Sequence, residues 1–213
     1  MGSTERRQRQ KEQLREQILE AARTIVVQEG FDALSMRKIA DAVEYAPATL
    51  YLHFQSRDEI ARELCVRGFR ELWNFLAPAA PLADPLERLR VVAEGYVRFA
   101  MSHPETYRLI FMEDPKYTGT VLRGGPDDPG EQSLLLMVRA FEELQEQGRL
   151  AKDAVPRRLS EVFWAGMHGV VSLKITCSDF LQTPAEEMTT TLTRALLDGL
   201  ISPATRPRAA RLR

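Results

Sequence analysis

The stretch from Ser35 to Phe54 (Ser-Met-Arg-Lys-Ile-Ala-Asp-Ala-Val-Glu-Tyr-Ala-Pro-Ala-Thr-Leu-Tyr-Leu-His-Phe) leaves few folds open to this chain. Ser35 is placed to cap a helix, and Leu34 and Ile39 stand at the spacing of a hydrophobic staple. Met36, Ile39, Ala40 and Val43 fall on one helical face, which must be buried. The periodicity breaks at Glu44-Tyr45-Ala46. Pro47 then opens a second, very short helix to Leu52, at the one helical position where a missing N–H costs nothing. Two short helices joined by about three residues have helix-turn-helix geometry, in which the second helix enters a DNA major groove and the first crosses the phosphates.

The flanks support such a reader. Leu14, Ile18, Ala22 and Ile25 repeat at helical spacing, and Gly30-Phe31 resembles a left-handed cap with its apolar partner. Before and into this helix Arg6, Arg7, Arg9, Lys11 and Arg15 make a basic arm, its residues 1–11 read as partly disordered; it is either a solvated terminus or a set of phosphate contacts. Ser56-Arg-Asp-Glu59 is a capping box for a long helix to about Leu76, apolar on more than one face through Leu64, Cys65, Phe69, Leu72 and Trp73. Prolines stiffen residues 77–85. Further helices are expected from Asp84, with Leu89, Val92, Tyr96 and Phe99 on one face, from His103-Pro104, from Asp128 to Gln147, ended by Gly148, and over 156–176. Thr183 is expected to cap a last one, to about Leu200. Residues 114–128 read as a long loop, a lid or disordered, and 202–213 as a disordered basic tail.

From Phe31 to Ile60 the chain resembles the tetracycline-repressor (TetR) family of bacterial regulators. The likeness rests on Ser-Met-Arg-Lys-Ile-Ala at 35–40 and Ala-Thr-Leu-Tyr-Leu-His-Phe-Gln-Ser-Arg-Asp-Glu-Ile at 48–60. Trp164-Ala-Gly-Met-His168-Gly169 is similar to a Trp, His-Gly signature in the C-terminal domain of one subgroup (WHG type). The resemblance implies an all-α homodimer. Its parts would be a three-helix DNA-binding head at 12–58 and a helical effector-binding and dimerisation body at 59–201. Carried over residue by residue, Ser35 and Arg37 would touch phosphate, and Tyr45, Pro47, Ala48 and Thr49 would face base edges. Tyr51, His53 and Arg57 would hold the DNA backbone, with Leu50 and Phe54 in the core. The sequence departs from the common pattern at Glu44, where Gly is usual and a positive φ would be strained, at Ala46 in place of a capping Ser, and at Pro47 in place of a frequent Lys.

In the body, Phe69, Trp73, Phe99, Tyr107, Phe111, Met137, Phe141, Trp164, Met167 and His168 are the candidates for a ligand site, though such a set is more often plain core. His168 reads first as a satisfied buried histidine and second as a polar handle on a ligand or a dimer contact. Gly166 and Gly169, each costing about 1 kcal/mol in a helix interior, mark a close helix approach, with a dimer mate as one partner. Apolar stripes at Leu159, Val162, Phe163, Gly166 and Val170, and at Met188, Leu192, Ala195 and Leu196, would form a four-helix dimer interface.

Composition narrows the rest. With 44% apolar residues in 213, the chain is globular, and its net charge of −1 confines any DNA contact to a local basic patch. No apolar run is long enough to span a membrane and no secretory signal is apparent, so the cytoplasm is expected. Two cysteines in apolar helical settings suit reduced core thiols, and neither a metal site nor a cofactor is expected. No phosphate loop or nucleophile elbow appears, so the chain is read as no enzyme. The leading expectation is a repressor that a hydrophobic or amphipathic small molecule releases from its operator. Its rivals are an effector-independent DNA-binding protein and an all-helical enzyme or stress protein with a vestigial head.

Overall fold

The computed structural model describes residues 2–114, 116 and 128–201, and among these the only regular elements are helices. They are α1 (Ser3–Glu29), α2 (Met36–Ala42), α3 (Pro47–Leu50), α4 (Arg57–Leu76), α5 (Pro85–Ser102), α6 (Pro104–Phe111), α7 (Pro129–Glu146), α8 (Pro156–Thr176) and α9 (Ala185–Leu200), with single 3₁₀ turns at Phe31–Ala33 and Ala77–Ala79. The chain divides into two compact units. One holds Met1–Arg70 and Glu105–Gly130, the other Glu71–Pro104 and Glu131–Arg213. The division falls inside α4 rather than at residue 58, and α6 is counted with the head.

Why α6 belongs there is visible at Gly68, where a Cβ would lie 2.4 Å from Ile110 Cγ2; only a glycine lets α6 come this close to α4. Arg23 of α1 donates to Thr106 Oγ1 at 3.2 Å, and Phe69, Tyr107 and Phe111 form an aromatic cluster with centroids 4.9–5.4 Å apart. Within the same unit Ile18, Leu19, Ala22, Ile25 and Val26 of α1 are buried, as are Met36, Ile39 and Ala40 of α2.

Helix α1 begins at Ser3, so residues 3–11 are helical where a partly disordered arm was expected. The Gly2 N–H donates to Glu5 at 3.1 Å, Gln8 donates to Glu12 one turn on, and the Gln, Arg, Lys and Glu of this segment are good helix formers. Gly30 ends the helix at φ +80°, but with ψ at 170° it is extended rather than left-handed helical. The α4 cap is split: Ser56 Oγ accepts from Glu59 N–H, while the Glu59 carboxylate accepts from Gln55 N–H, one residue before the cap.

In the second unit α5 buries Leu89, Val92, Tyr96 and Phe99, the face expected of it. Arg88, nearly buried, donates to the Leu82 carbonyl and, at 2.7 Å, to Glu143 of α7. Helix α9 packs on α5 and α8, and α5 on α8. Gly166 faces this chain's own Leu192 and Leu196, so its close partner is α9 and not a second molecule. Phe163 and Val170 are likewise buried within the chain, not offered to a dimer mate. The Thr183 side chain does not cap α9, whose N-cap is Pro184 with no side-chain hydrogen bond. Cys65 is buried, but Cys177, at the end of α8, is exposed rather than in the core. The loop at 114–128 lies largely, and the tail at 202–213 wholly, outside the described residues.

Candidate nucleic-acid interface

The head presents its short third helix by anchoring one side of it. Leu50 and Phe54, one turn apart, are 0% and 1% exposed; Ala48 and Leu52 point the opposite way, and Leu52 is 74% exposed. Leu52 N–H still donates to the Thr49 carbonyl at 3.1 Å and Phe54 N–H to Leu50 at 2.9 Å, so the helical course continues past Leu50 into the following turn. Pro47, Ala48, Tyr45 and Tyr51 are exposed, and Thr49 is half-buried. At the junction with α2, Glu44 sits at φ +60°, the left-handed conformation that glycine adopts without cost. A shallow groove of about 480 Å³ runs between this turn and α1, lined in part by Glu20, Glu44 and Tyr45; its two carboxylates disfavour phosphate.

The polar residues around the reader divide into two groups. Ser35 Oγ accepts from Lys38 N–H at 3.1 Å and so starts α2, leaving its own proton to donate outward. Arg37 is exposed. Lys38, by contrast, is paired with Glu29. Arg57 donates to the Leu34 carbonyl at 3.2 Å and lies 3.4 Å from Asp58, so it braces the head from within. His53 is half-buried, with Nδ1 buried and lacking a hydrogen-bond partner among the described residues. Its burial, then the charges of Lys11 and Arg15, push its pKa below the usual histidine value, so the ring is neutral at pH 7.

Arg15, by sequence a member of the basic arm, instead joins these parts: it donates to the His53 carbonyl at 3.0 Å, stacks 4.1 Å over Phe54 and pairs with Glu63. Beside it Arg67 grips Glu16 in a two-pronged pair at 2.6 and 2.7 Å, which raises the guanidinium pKa and lowers that of the carboxyl.

The body candidates do not form one cluster within a unit. Phe69, Tyr107 and Phe111 belong to the first unit; Trp73, Phe99, Met137, Phe141, Trp164, Met167 and His168 belong to the second. Phe99, Met137, Phe141 and Met167 are almost wholly buried, Phe141 standing edge-on to Phe163 at 6.1 Å. Trp164 and His168 are half-buried and share a partner the sequence did not reveal: Trp164 Nε1 donates to Tyr96 Oη at 3.1 Å, and that hydroxyl lies 3.3 Å from His168 Nδ1. The Tyr96 hydroxyl thus links the indole to the imidazole, accepting from the one and sharing a hydrogen bond with the other. Burial lowers the His168 pKa.

Residues 18–64 match the model of the bacterial regulatory proteins of the tetR family, and residues 89–200, more than half the chain, match the tetracyclin repressor-like C-terminal domain. The chain belongs to the tetracycline-repressor family. It is similar to the uncharacterised HTH-type transcriptional regulator YobS of Bacillus subtilis (strain 168), 28% identical over 96 residues, or 45% of this chain and 50% of that one. It is also similar to the uncharacterised HTH-type transcriptional regulator Rv0681 of Mycobacterium tuberculosis (strain H37Rv), 25% identical over 167 residues, 76% of this chain and 70% of that one. The first of these matches thus spans only half the relative's length. Among solved structures, a protein with unknown function from Rhodococcus sp. RHA1 superposes with a TM-score of 0.69 at 25% identity, covering 89% of this chain and 96% of that one. The matched segment 18–64 takes in α2 and α3, the exposed reader surface described above.

Proposed function

We propose that the protein is a cytoplasmic, homodimeric repressor whose two α3 helices enter successive major grooves about 34–36 Å apart. A hydrophobic or amphipathic small molecule bound in the helical body would release it. The observation that carries the reading is the two-sided α3: Leu50 and Phe54 fix it to the core while Tyr45, Pro47, Ala48 and Tyr51 stand exposed. In this reading Ser35, Arg37 and Tyr51 donate to phosphates, Tyr45, Pro47, Ala48 and Thr49 lie against base edges, and His53 and Arg57 hold the corner behind them. The second copy would cover α8 and α9, where Val162 and Leu173 are 49% and 47% exposed and a Cβ on Gly169 would meet nothing within 4 Å.

The effector would lie among the aromatic and methionine side chains of the second unit, with Tyr96, Trp164 and His168 as its polar corner. Such a ligand shifts DNA affinity only through its differential affinity for two arrangements of the dimer. Helix α4 runs unbroken from Arg57 to Leu76, so its tilt is the simplest variable to differ between them. Selection of duplexes from a random library, followed by affinity measurements at fixed salt, tests the head. Arg37→Ala with Tyr51→Phe should weaken binding at least tenfold, two lost phosphate contacts per head being worth about 1.4 kcal/mol or more. Unchanged affinity would overturn the reading. Melting shifts across a set of amphipathic compounds test the body, and a chain that no compound stabilises would favour an effector-independent DNA-binding protein.

A further inference from the structure

Between Tyr45 and Phe54 there is no Lys, Arg, Asn, Gln, Asp or Glu. Guanine is read through its N7 and O6 acceptors by a cationic or forked donor, adenine by an amide, and cytosine by a carboxylate; thymine alone offers a methyl group in the major groove. The α3 surface opposite its core anchors carries Ala48 and, one turn on, Leu52, whose side chain is 74% exposed and contributes nothing to the core of this chain. Pro47 has no N–H to give, and the remaining side-chain donors in this stretch are the hydroxyls of Tyr45, Thr49 and Tyr51 and the single ring N–H of the half-buried His53. Such a surface recovers free energy on binding by covering apolar groups, because it holds too few donors to satisfy a guanine edge.

We propose that Leu52, together with Ala48, reads thymine C5-methyl groups, so that the centre of each operator half-site consists of A·T pairs presenting adjacent thymine methyls in the major groove. This rests on the reading of α3 as the groove-entering helix, and it adds Leu52 to the residues that determine sequence preference.

The test uses the full chain and a duplex selected from a random library. Each thymine of the half-site is replaced in turn by deoxyuridine, which deletes the methyl and leaves every hydrogen-bonding edge in place. Affinity should fall about fourfold per contacted methyl, the equivalent of ~0.8 kcal/mol for one buried carbon. Leu52→Ala, at an exposed position, should weaken the thymine duplex by a similar factor or more and lose the discrimination at the methyl that Leu52 covers, keeping at most that due to Ala48, while Leu52→Met keeps it in full. Half-sites centred on G·C pairs, indifference of the wild-type chain to uracil, or full discrimination by Leu52→Ala would each overturn the proposal while leaving DNA binding intact. Selection of no duplex even at low salt would overturn the DNA reading itself, and this one with it.

Discussion

Replacing Gly68 by alanine probes how tightly α6 is held to α4. A Cβ at this position would lie 2.4 Å from Ile110 Cγ2 and 3.1 Å from Thr106 Cγ2, and Ile110 is wholly buried, with a β-branched side chain that has no free rotamer to take up. Overpacking of this kind costs about 1–3 kcal/mol, and a contact nearly 1 Å too short in a closed site belongs at the upper end. Against it stands the gain of about 1 kcal/mol from exchanging glycine for alanine inside a helix. Gly68→Ala should therefore destabilise the chain by roughly 2 kcal/mol in urea unfolding at fixed protein concentration. Ile110→Ala alone should cost about 2–5 kcal/mol. With Ile110 already truncated the 2.4 Å clash is gone and only the milder 3.1 Å approach to Thr106 Cγ2 is left, so Gly68→Ala should be near neutral or stabilise by up to about 1 kcal/mol, a coupling of about 2–3 kcal/mol. If Gly68→Ala stabilises the wild-type chain, or the two changes add within about 0.5 kcal/mol, the close approach of α6 to α4 is not what fixes Gly68.

Three further outcomes follow from single sites. His53 and His168 both have pKa values lowered by burial, so near and below about pH 6.5 the unfolded chain takes up protons that the folded one resists. Their contribution to stability is complete above that pH and is lost as pH falls through the folded values; urea midpoints between about pH 8 and 5.5 should decline less steeply for His168→Gln than for the wild type. Cys65 is buried with its thiol pushed up to about 12, whereas Cys177 is exposed, so a thiol reagent should modify Cys177 alone in the native protein and both after unfolding. Rapid modification of Cys65 would mean that the head opens locally. Glu44→Gly removes a side chain from a φ of +60° and should raise stability by roughly 0.5–1 kcal/mol in thermal unfolding, the relief of strain being partly offset by the flexibility of glycine; a lower melting temperature would refute strain at the turn.

The helices were legible where side-chain chemistry is local. Ser35, Pro47, Ser56 and Asp84 announce four starts and Gly148 one end, because caps and fixed φ act over three or four residues. The assignment of α6 to the head was not legible, since Gly68 gains its meaning from Ile110, more than forty residues away. The division of the body aromatics is of the same kind: periodicity says that Phe69 and Phe99 are buried but not in which unit. Within the site, the exposed positions of Tyr45, Ala48 and Tyr51 follow from the helical period once Leu50 and Phe54 are taken as core, and Leu52 follows from the same geometry. An exposed leucine carries no meaning by itself, and acquires one only from the scarcity of donors on the surface around it. Tyr96, by contrast, falls on the apolar face of α5, and nothing local in the sequence links its hydroxyl to Trp164 and His168.

The near-zero net charge also bears on how the head can hold DNA. Many of its cations are engaged: Lys38 by Glu29, Arg15 by Glu63, Arg57 by Asp58, and Arg67 by Glu16 and Glu63. Arg37 and, on the first turns of α1, Arg6, Arg7, Arg9 and Lys11 are exposed and take part in no ion pair among the described residues. Each phosphate neutralised by such a group contributes about 0.9 to the slope of log affinity against log salt. In a homodimer Arg37→Ala should thus lower that slope by about 2, one contact per head, whereas Lys38→Ala should leave it nearly unchanged because that charge is already paired. Removing Arg6, Arg7, Arg9 and Lys11 together decides whether the start of α1 reaches DNA: a fall beyond that of Arg37→Ala places it on the phosphates, and an unaltered slope makes it a solvated helix end. Equal losses from Arg37→Ala and Lys38→Ala would refute the argument, since internal pairing would then have no influence on which cations meet the duplex.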